Sequence, residues 1–152
     1  MKYFMYDYQS LIHKIDSSDE ETFWFGAASK DQIRKLEILL QLSFPNDFSA
    51  FLEVCGGGGV VESEICGIEK NDATLARGGT VNYSTSYCRT DYDLPMELAV
   101  IFLKDDEICW AIDCSLQGKG KVVSYNIFSK KTEQVLAENF YDFFRDYIEI
   151  RV

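Results

Sequence analysis

Acid–base or nucleophilic catalysis near neutral pH usually recruits a histidine, and this chain of 152 residues has a single one, His13. Five cysteines stand at positions 55, 66, 88, 109 and 114. Their number is odd, no Cys-x-x-Cys spacing occurs, and they are not clustered as zinc ligands would be. They are expected to be buried, reduced thiols. Carboxylates are too numerous to single out a catalytic pair: Glu62/Glu64, Asp91/Asp93 and Asp105/Asp106/Glu107 all qualify. Glu62 and Glu64 would share a strand face and could hold a divalent cation, but solvated surface charge accounts for them better. A hydrolase running on Cys55 or Glu62 lacks a positioned base. Four consecutive glycines, Gly56 to Gly59, resemble a phosphate loop only in composition. Such a loop leads from a strand into a helix N-terminus and is usually followed by Lys, whereas these glycines close a helix and precede Val60. They are expected to cap that helix and turn the chain into a strand. Trp24 and Trp110 suit a core better than a ligand platform. No catalytic residue, metal site or cofactor is expected.

The elements that would position these residues are set by hydrophobic period. Tyr8, Leu11, Ile12 and Ile15 fall at i, i+3, i+4 and i+7, an amphipathic helix with His13 off its apolar stripe. After the polar stretch Asp16 to Glu21 comes a short aromatic segment, Thr22 to Phe25. Ser29 with Gln32 three residues on reads as a capping box for a helix burying Ile33, Leu36, Leu39 and Leu40. Pro45 suits the first turn of the next helix, whose apolar face is Phe48, Phe51, Leu52 and Cys55. A strand is expected within Val60 to Ile68 and a helix over Val81 to Cys88. Ala99 to Leu103 and Ile108 to Ile112 are apolar on both faces, as central strands covered on both sides are. Lys104 to Glu107 makes the hairpin turn between them. A further strand spans Val122 to Phe128, and the chain closes with a helix presenting Phe140, Phe143, Phe144, Tyr147 and Ile148. Helices, then a mainly antiparallel or mixed sheet, then a helix make an α+β plan, in one domain over residues 1–152.

Charge narrows the function classes. There are 25 acidic and 15 basic side chains, a formal net charge of -10. Phosphate recognition is led by Lys and Arg, so no nucleic-acid binding is expected, and no docking to an anionic membrane surface. No apolar run approaches the ~20 residues of a bilayer span. The opening MKYFMYDYQS lacks a secretory pattern, so a cytoplasmic location is expected. The acidic excess is concentrated in residues 51–107, with 11 acidic against 4 basic residues. A strong single-sign field steers association with an oppositely charged partner.

An ordered set of short motifs runs along the chain: Trp24, then Ile33-x-x-Leu36-Glu37, Leu40, Phe44-Pro45-x-Asp47-Phe48, Phe51-Leu52 and Gly56-Gly57. Gly67, Leu94-Pro95 before Val100-Ile101-Phe102, Ile112-Asp113 and Asn139-Phe140-x-x-Phe143-Phe144 extend it. Together they resemble the SUKH superfamily in its Smi/Knr-type branch. Phe44 replaces the usual Leu before Pro45, and Cys55 stands where Asn is common. The resemblance implies one α+β domain with helices packed on the sheet. It assigns Trp24, Leu36, Glu37, Leu40, Pro45, Phe51, Leu52, Gly56, Gly57 and Asp113 to the structural motif. It also implies a non-catalytic role. Most bacterial members look like immunity proteins that bind and neutralise a cognate polymorphic toxin, often a nuclease. Fungal relatives are regulatory proteins of cell-wall synthesis, so a regulatory scaffold binding an endogenous partner is the alternative. Toxin-contacting residues cannot be read from the motif. From charge density the expected anchors are Asp91, Asp93, Asp105, Asp106 and Glu107, with Tyr83, Tyr87 and Tyr92 as aromatic partners.

Overall fold

The computed structural model describes residues 6–152. The expectation about a secretory leader rests partly on residues 1–5, which lie outside the described residues. Among the described residues no helix is long and apolar enough to cross a membrane.

The first element of the described residues is α1 (Tyr8–Asp16), whose N-terminus is capped by Asp7. β1 (Thr22–Trp24), α2 (Lys30–Leu40), α3 (Asn46–Cys55) and β2 (Gly58–Val60) come next. Ser29 caps α2 as expected, its hydroxyl accepting from the Gln32 N–H at 3.2 Å. The reciprocal half of the box is not made. Gln32 instead accepts from the Ala73 N–H at 2.8 Å, and the Ser29 N–H donates to Asn71 Oδ1 at 2.8 Å. Both residues thereby tie the start of α2 to the 3₁₀ turn Glu69–Asn71 and to Ala73 just beyond it. The buried stripe of α2 is Ile33, Leu36 and Leu40; Leu39, expected inside, is exposed. Pro45 takes the N-cap position of α3, one residue before the first turn.

Among the described residues two antiparallel sheets form. β1 and β2 make a two-stranded ribbon, with Thr22 opposite Val60 and Trp24 opposite Gly58. The larger sheet is a meander of β3 (Leu98–Lys104), β4 (Ile108–Asp113), β5 (Val122–Asn126) and β6 (Lys131–Ala137), in that order. Between the sheets in sequence lies α4 (Val81–Tyr92), longer than the helix expected there, and α5 (Phe140–Glu149) closes the chain. The strand expected within Val60 to Ile68 is not formed there: β2 ends at Val60, the first residue of that span. Beyond it Glu62 has φ 74°, the Ser63 N–H donates to the Val60 carbonyl at 2.9 Å, and only isolated bridges at Ile65 and Gly67 resume pairing. Glu62 and Glu64 therefore do not share a strand face. β6 fills a stretch for which the sequence suggests no element, and β5 ends at Asn126, short of Phe128.

β3, expected to be central, is an edge strand, but its edge is covered. The Val100 N–H donates to Thr85 Oγ1 of α4 at 2.9 Å, and the Ile101 carbonyl accepts from the Cys66 N–H at 2.7 Å. Both faces of the sheet are covered, as its apolar strands require. Ala99, Ile101, Ile112 and Val122 face the larger core with α1, α2, α3 and α5. Val100, Cys109, Ala111, Val123 and Tyr125 face a smaller cluster under α4, with Cys88 and the half-buried Tyr87 and Tyr92. Alternation along each strand makes this division. At the centre of the larger core Tyr8, Phe48, Phe51, Phe140 and Phe144 pack ring on ring, each burial contributing roughly 1.5–3 kcal/mol. The last helix buries all five expected positions.

Candidate interaction surface

Most of the expected aromatic and acidic anchors meet at one end of the larger sheet. Tyr83 and Tyr87, one turn apart on α4, stack with centroids 5.6 Å apart and planes 7° from parallel. Tyr92, at the last turn, meets Tyr87 edge-on at 5.7 Å and 88°. The neighbouring Tyr92 phenol, burial and the Asp106 carboxylate raise the Tyr87 pKa above the ordinary phenol value. Asp105 and Asp106 occupy the tight turn between β3 and β4 with φ of 56° and 50°, as a type I′ turn demands, and the Glu107 N–H closes it on the Lys104 carbonyl at 3.0 Å. Asp105, Asp106, Glu107 and Asp91 are exposed, and Tyr83 is 38% exposed. Tyr87 and Tyr92, half-sunk in the smaller core, and the exposed Tyr83 are thus bordered by carboxylates.

Two features depart from expectation. Asp93 is the left-handed C-cap of α4, and its carboxylate is engaged by Lys130 Nζ at 2.9 Å. The acidic excess of residues 51–107 is also more scattered than the count implies. Glu53 pairs with Lys30 across α2 and α3, and Glu69 with Arg77, both at 2.8 Å and away from this surface. Residues that sequence reasoning missed adjoin it from the β5–β6 hairpin. Tyr125 donates to the Tyr92 carbonyl at 2.7 Å, and Phe128 and Glu133, with Ile108 of β4, line a cleft beside Glu107. Phe128 carries a usable signal, an aromatic residue just past a polar Asn, yet its apolar character also lets it pass for the end of a strand.

Four of the five thiols are held in their neutral form, whereas Cys88 is lowered by its neighbour Cys109. Burial pushes Cys55 and Cys114 up to about 12 and Cys66 up to about 11. Cys109 is raised by the neighbouring Cys88 thiol and by burial. His13 and Cys55 line one cleft with Asp16, a proximity not legible in the sequence. The Cys55 thiol turns back to the Phe51 carbonyl at 3.5 Å, and the groups acting on it are burial and the Gly57 N–H. A thiolate is the nucleophilic form, and this environment suppresses it. Among the described residues no three His, Cys, Asp or Glu side chains converge as metal ligands.

The motif residues have structural work of their own. Glu37 accepts from the Phe44 N–H at 2.7 Å and so fixes the turn from α2 to α3. Asp47 is buried and accepts from the Phe48 N–H at 2.8 Å and the Tyr141 N–H at 3.0 Å, joining the N-termini of α3 and α5. Gly56, with φ 77°, caps α3 in the left-handed region, and a Cβ there would collide with the Gly26 carbonyl. Trp24 packs edge-on to Phe144 and donates to Asp16 at 3.0 Å. Asp113 accepts from the Ser115 N–H and hydroxyl, shaping the loop after β4. Leu36, Leu40, Phe51 and Leu52 are core.

No curated protein matches the chain. A family model does: SUKH_5, described as SMI1-KNR4 cell-wall, over residues 8–149. That match spans nearly the whole chain and agrees with the α+β architecture and the structural roles of the motif, and the protein therefore belongs to the SUKH superfamily, in its SMI1-KNR4 group.

Proposed function

We propose that this protein acts by binding, as an immunity protein that neutralises a cognate toxin of nuclease type by covering its basic active face. A nuclease groove must hold phosphate and so is basic, and an acidic inhibitor fits it. One observation carries the proposal: the tyrosine ladder of α4 lies against the Asp105–Asp106–Glu107 turn, joining aromatic anchors to exposed carboxylates on a chain of net charge -10. Interfaces of this kind bury ~1,600 Å² in total, and a few central aromatic or charged anchors supply most of the energy. Co-expression with a candidate toxin encoded in an adjacent gene should restore growth and yield a co-purifying complex. The Asp105→Asn/Asp106→Asn/Glu107→Gln variant should associate about tenfold more slowly at low ionic strength, with the gap closing as the Debye length falls to ~8 Å at 0.15 M. Unchanged association at low salt removes this turn from the interface. The family's cell-wall description favours a second possibility, a regulator that binds an endogenous partner through the same surface. A neighbouring gene for a toxin with a variable C-terminal domain separates the two.

A further inference from the structure

The two hairpins of the larger sheet part at one end. The β3–β4 ladder runs on to Lys104 opposite Ile108, and the β5–β6 ladder to Asn126 opposite Lys131. The β4–β5 ladder that joins them stops at Trp110 opposite Ser124. Each outer ladder carries an irregularity, between Val100 and Phe102 and between Ser124 and Tyr125, of the kind that bends a strand and increases its twist. A cleft of about 240 Å³ opens where the hairpins diverge. Its lips are apolar, with Ile108 39% and Phe128 72% exposed, and its rim carries Glu107 and Glu133. Asn126 Nδ2 donates to one oxygen of Glu133 at 3.0 Å and leaves the other open. Among the described residues neither glutamate is in an ion pair.

We infer that this cleft is the socket for an arginine side chain presented by the protein partner, which rests on the binding role proposed above. The chemistry selects that occupant. Exposed apolar lips favour an aliphatic stem, and the lining rings of Trp110 and Phe128 can accept the flat face of a guanidinium. Two carboxylates on opposite sides suit a planar fork of N–H donors better than the point charge of lysine. The socket is continuous with the acidic turn, because Glu107 belongs to both. A basic partner face would therefore insert one anchor between the hairpins while its remaining cations face Asp105 and Asp106. This assigns separate roles to charges that composition alone cannot distinguish.

The test uses the isolated chain, ¹⁵N-labelled, titrated with N-acetyl-arginine-N-methylamide and, in parallel, with its lysine and citrulline counterparts. The arginine compound should give saturable shifts centred on the Trp110 indole and the Asn126 carboxamide. Binding of the lysine compound should be at least tenfold weaker, and the citrulline compound, with similar shape and no charge, should leave those signals in place. Glu107→Gln combined with Glu133→Gln should weaken the arginine response at least tenfold. Both positions are exposed, so the remaining spectrum should be retained and report an intact fold. No saturable response to arginine, an equal response to citrulline, or a response unaltered in the double variant each overturns the socket. None of these measurements involves a toxin, so failed growth rescue and a failed socket are separate results.

Discussion

Asp47 permits a prediction whose size can be worked from the structure. The residue is 5% exposed, and each carboxylate oxygen serves a different helix: Oδ1 accepts from Phe48 in α3, and Oδ2 from Tyr141 in α5, 94 residues later. Asp47→Ala would leave both N–H groups buried without a partner, at about 1–3 kcal/mol each. Against this stands relief from burying a charge, which is substantial, because burial outweighs the helix N–H groups and leaves the pKa raised. The expected net loss is about 3 kcal/mol, or a fall in Tm of about 6–12 °C for a chain of this size. Asp47→Asn keeps the acceptor toward Phe48 but turns an amide toward the Tyr141 N–H, and should cost about half as much. The pH dependence has a definite sign. A carboxyl with a raised folded-state pKa binds more protons in the native state. Its contribution is fullest below the unfolded value of 3.8 and is lost as pH rises through the folded value. The stability of the parent relative to Asp47→Asn should therefore improve on acidification toward pH 4. Urea titrations of the three proteins between pH 4 and 7 measure all of this. An Asp47→Ala cost below about 0.5 kcal/mol, within the range of an ordinary surface change, would refute the joint between α3 and α5.

The Tyr147 hydroxyl accepts from the Val60 N–H and donates to the Ser63 carbonyl, both at 2.8 Å, so Tyr147→Phe should cost about 1–2 kcal/mol by urea titration. Gly59 has φ 140°, and a Cβ there would collide with that same hydroxyl. Gly59→Ala should cost more than about 2 kcal/mol, and its cost in a Tyr147→Phe background should be smaller, a coupling that a double-mutant cycle reads directly. Thr85→Val removes the acceptor for the Val100 N–H, and hydrogen exchange at that amide should speed up by at least tenfold while the β4 amides change less. The five thiols should react with a disulfide reagent slowly in the native protein and fully in denaturant, since four are buried and Cys114 is half-buried; rapid native labelling of Cys55 would reopen the nucleophile question.

Where burial is one-sided and local, the residues announce their structure. The five apolar positions of α5 and the four of α3 keep a helical period because each helix meets the core along a single stripe. β6 offers no such signal. Five of its seven residues are exposed, so Lys131-Thr-Glu-Gln reads as loop until β5 is present to pair with it. The opposite error arises at Ile65 and Ile68, which are buried by an irregular segment and mimic a strand. Gln32 forms a capping box by spacing, yet its amide goes to Ala73, a competition between near and distant partners that no local window contains. For the candidate surface, the acidic turn and the tyrosines are legible as residue types. Their meeting requires α4 to lie across β3, and the cleft beside them requires two hairpins to diverge, both products of tertiary packing.

The larger sheet also works as a partition. The buried residues of the family motif, Leu36, Leu40, Phe51 and Leu52, lie in the core on one side, whereas Tyr87 and Tyr92 of the tyrosine ladder pack on the other. If the outer side is the binding surface proposed above, replacing Tyr83 or reshaping the Asp105–Glu107 loop would change what it recognises while the helical side goes on folding by the same contacts. A protein divided in this way can acquire new targets by rewriting one side of a wall, with little penalty to the architecture behind it.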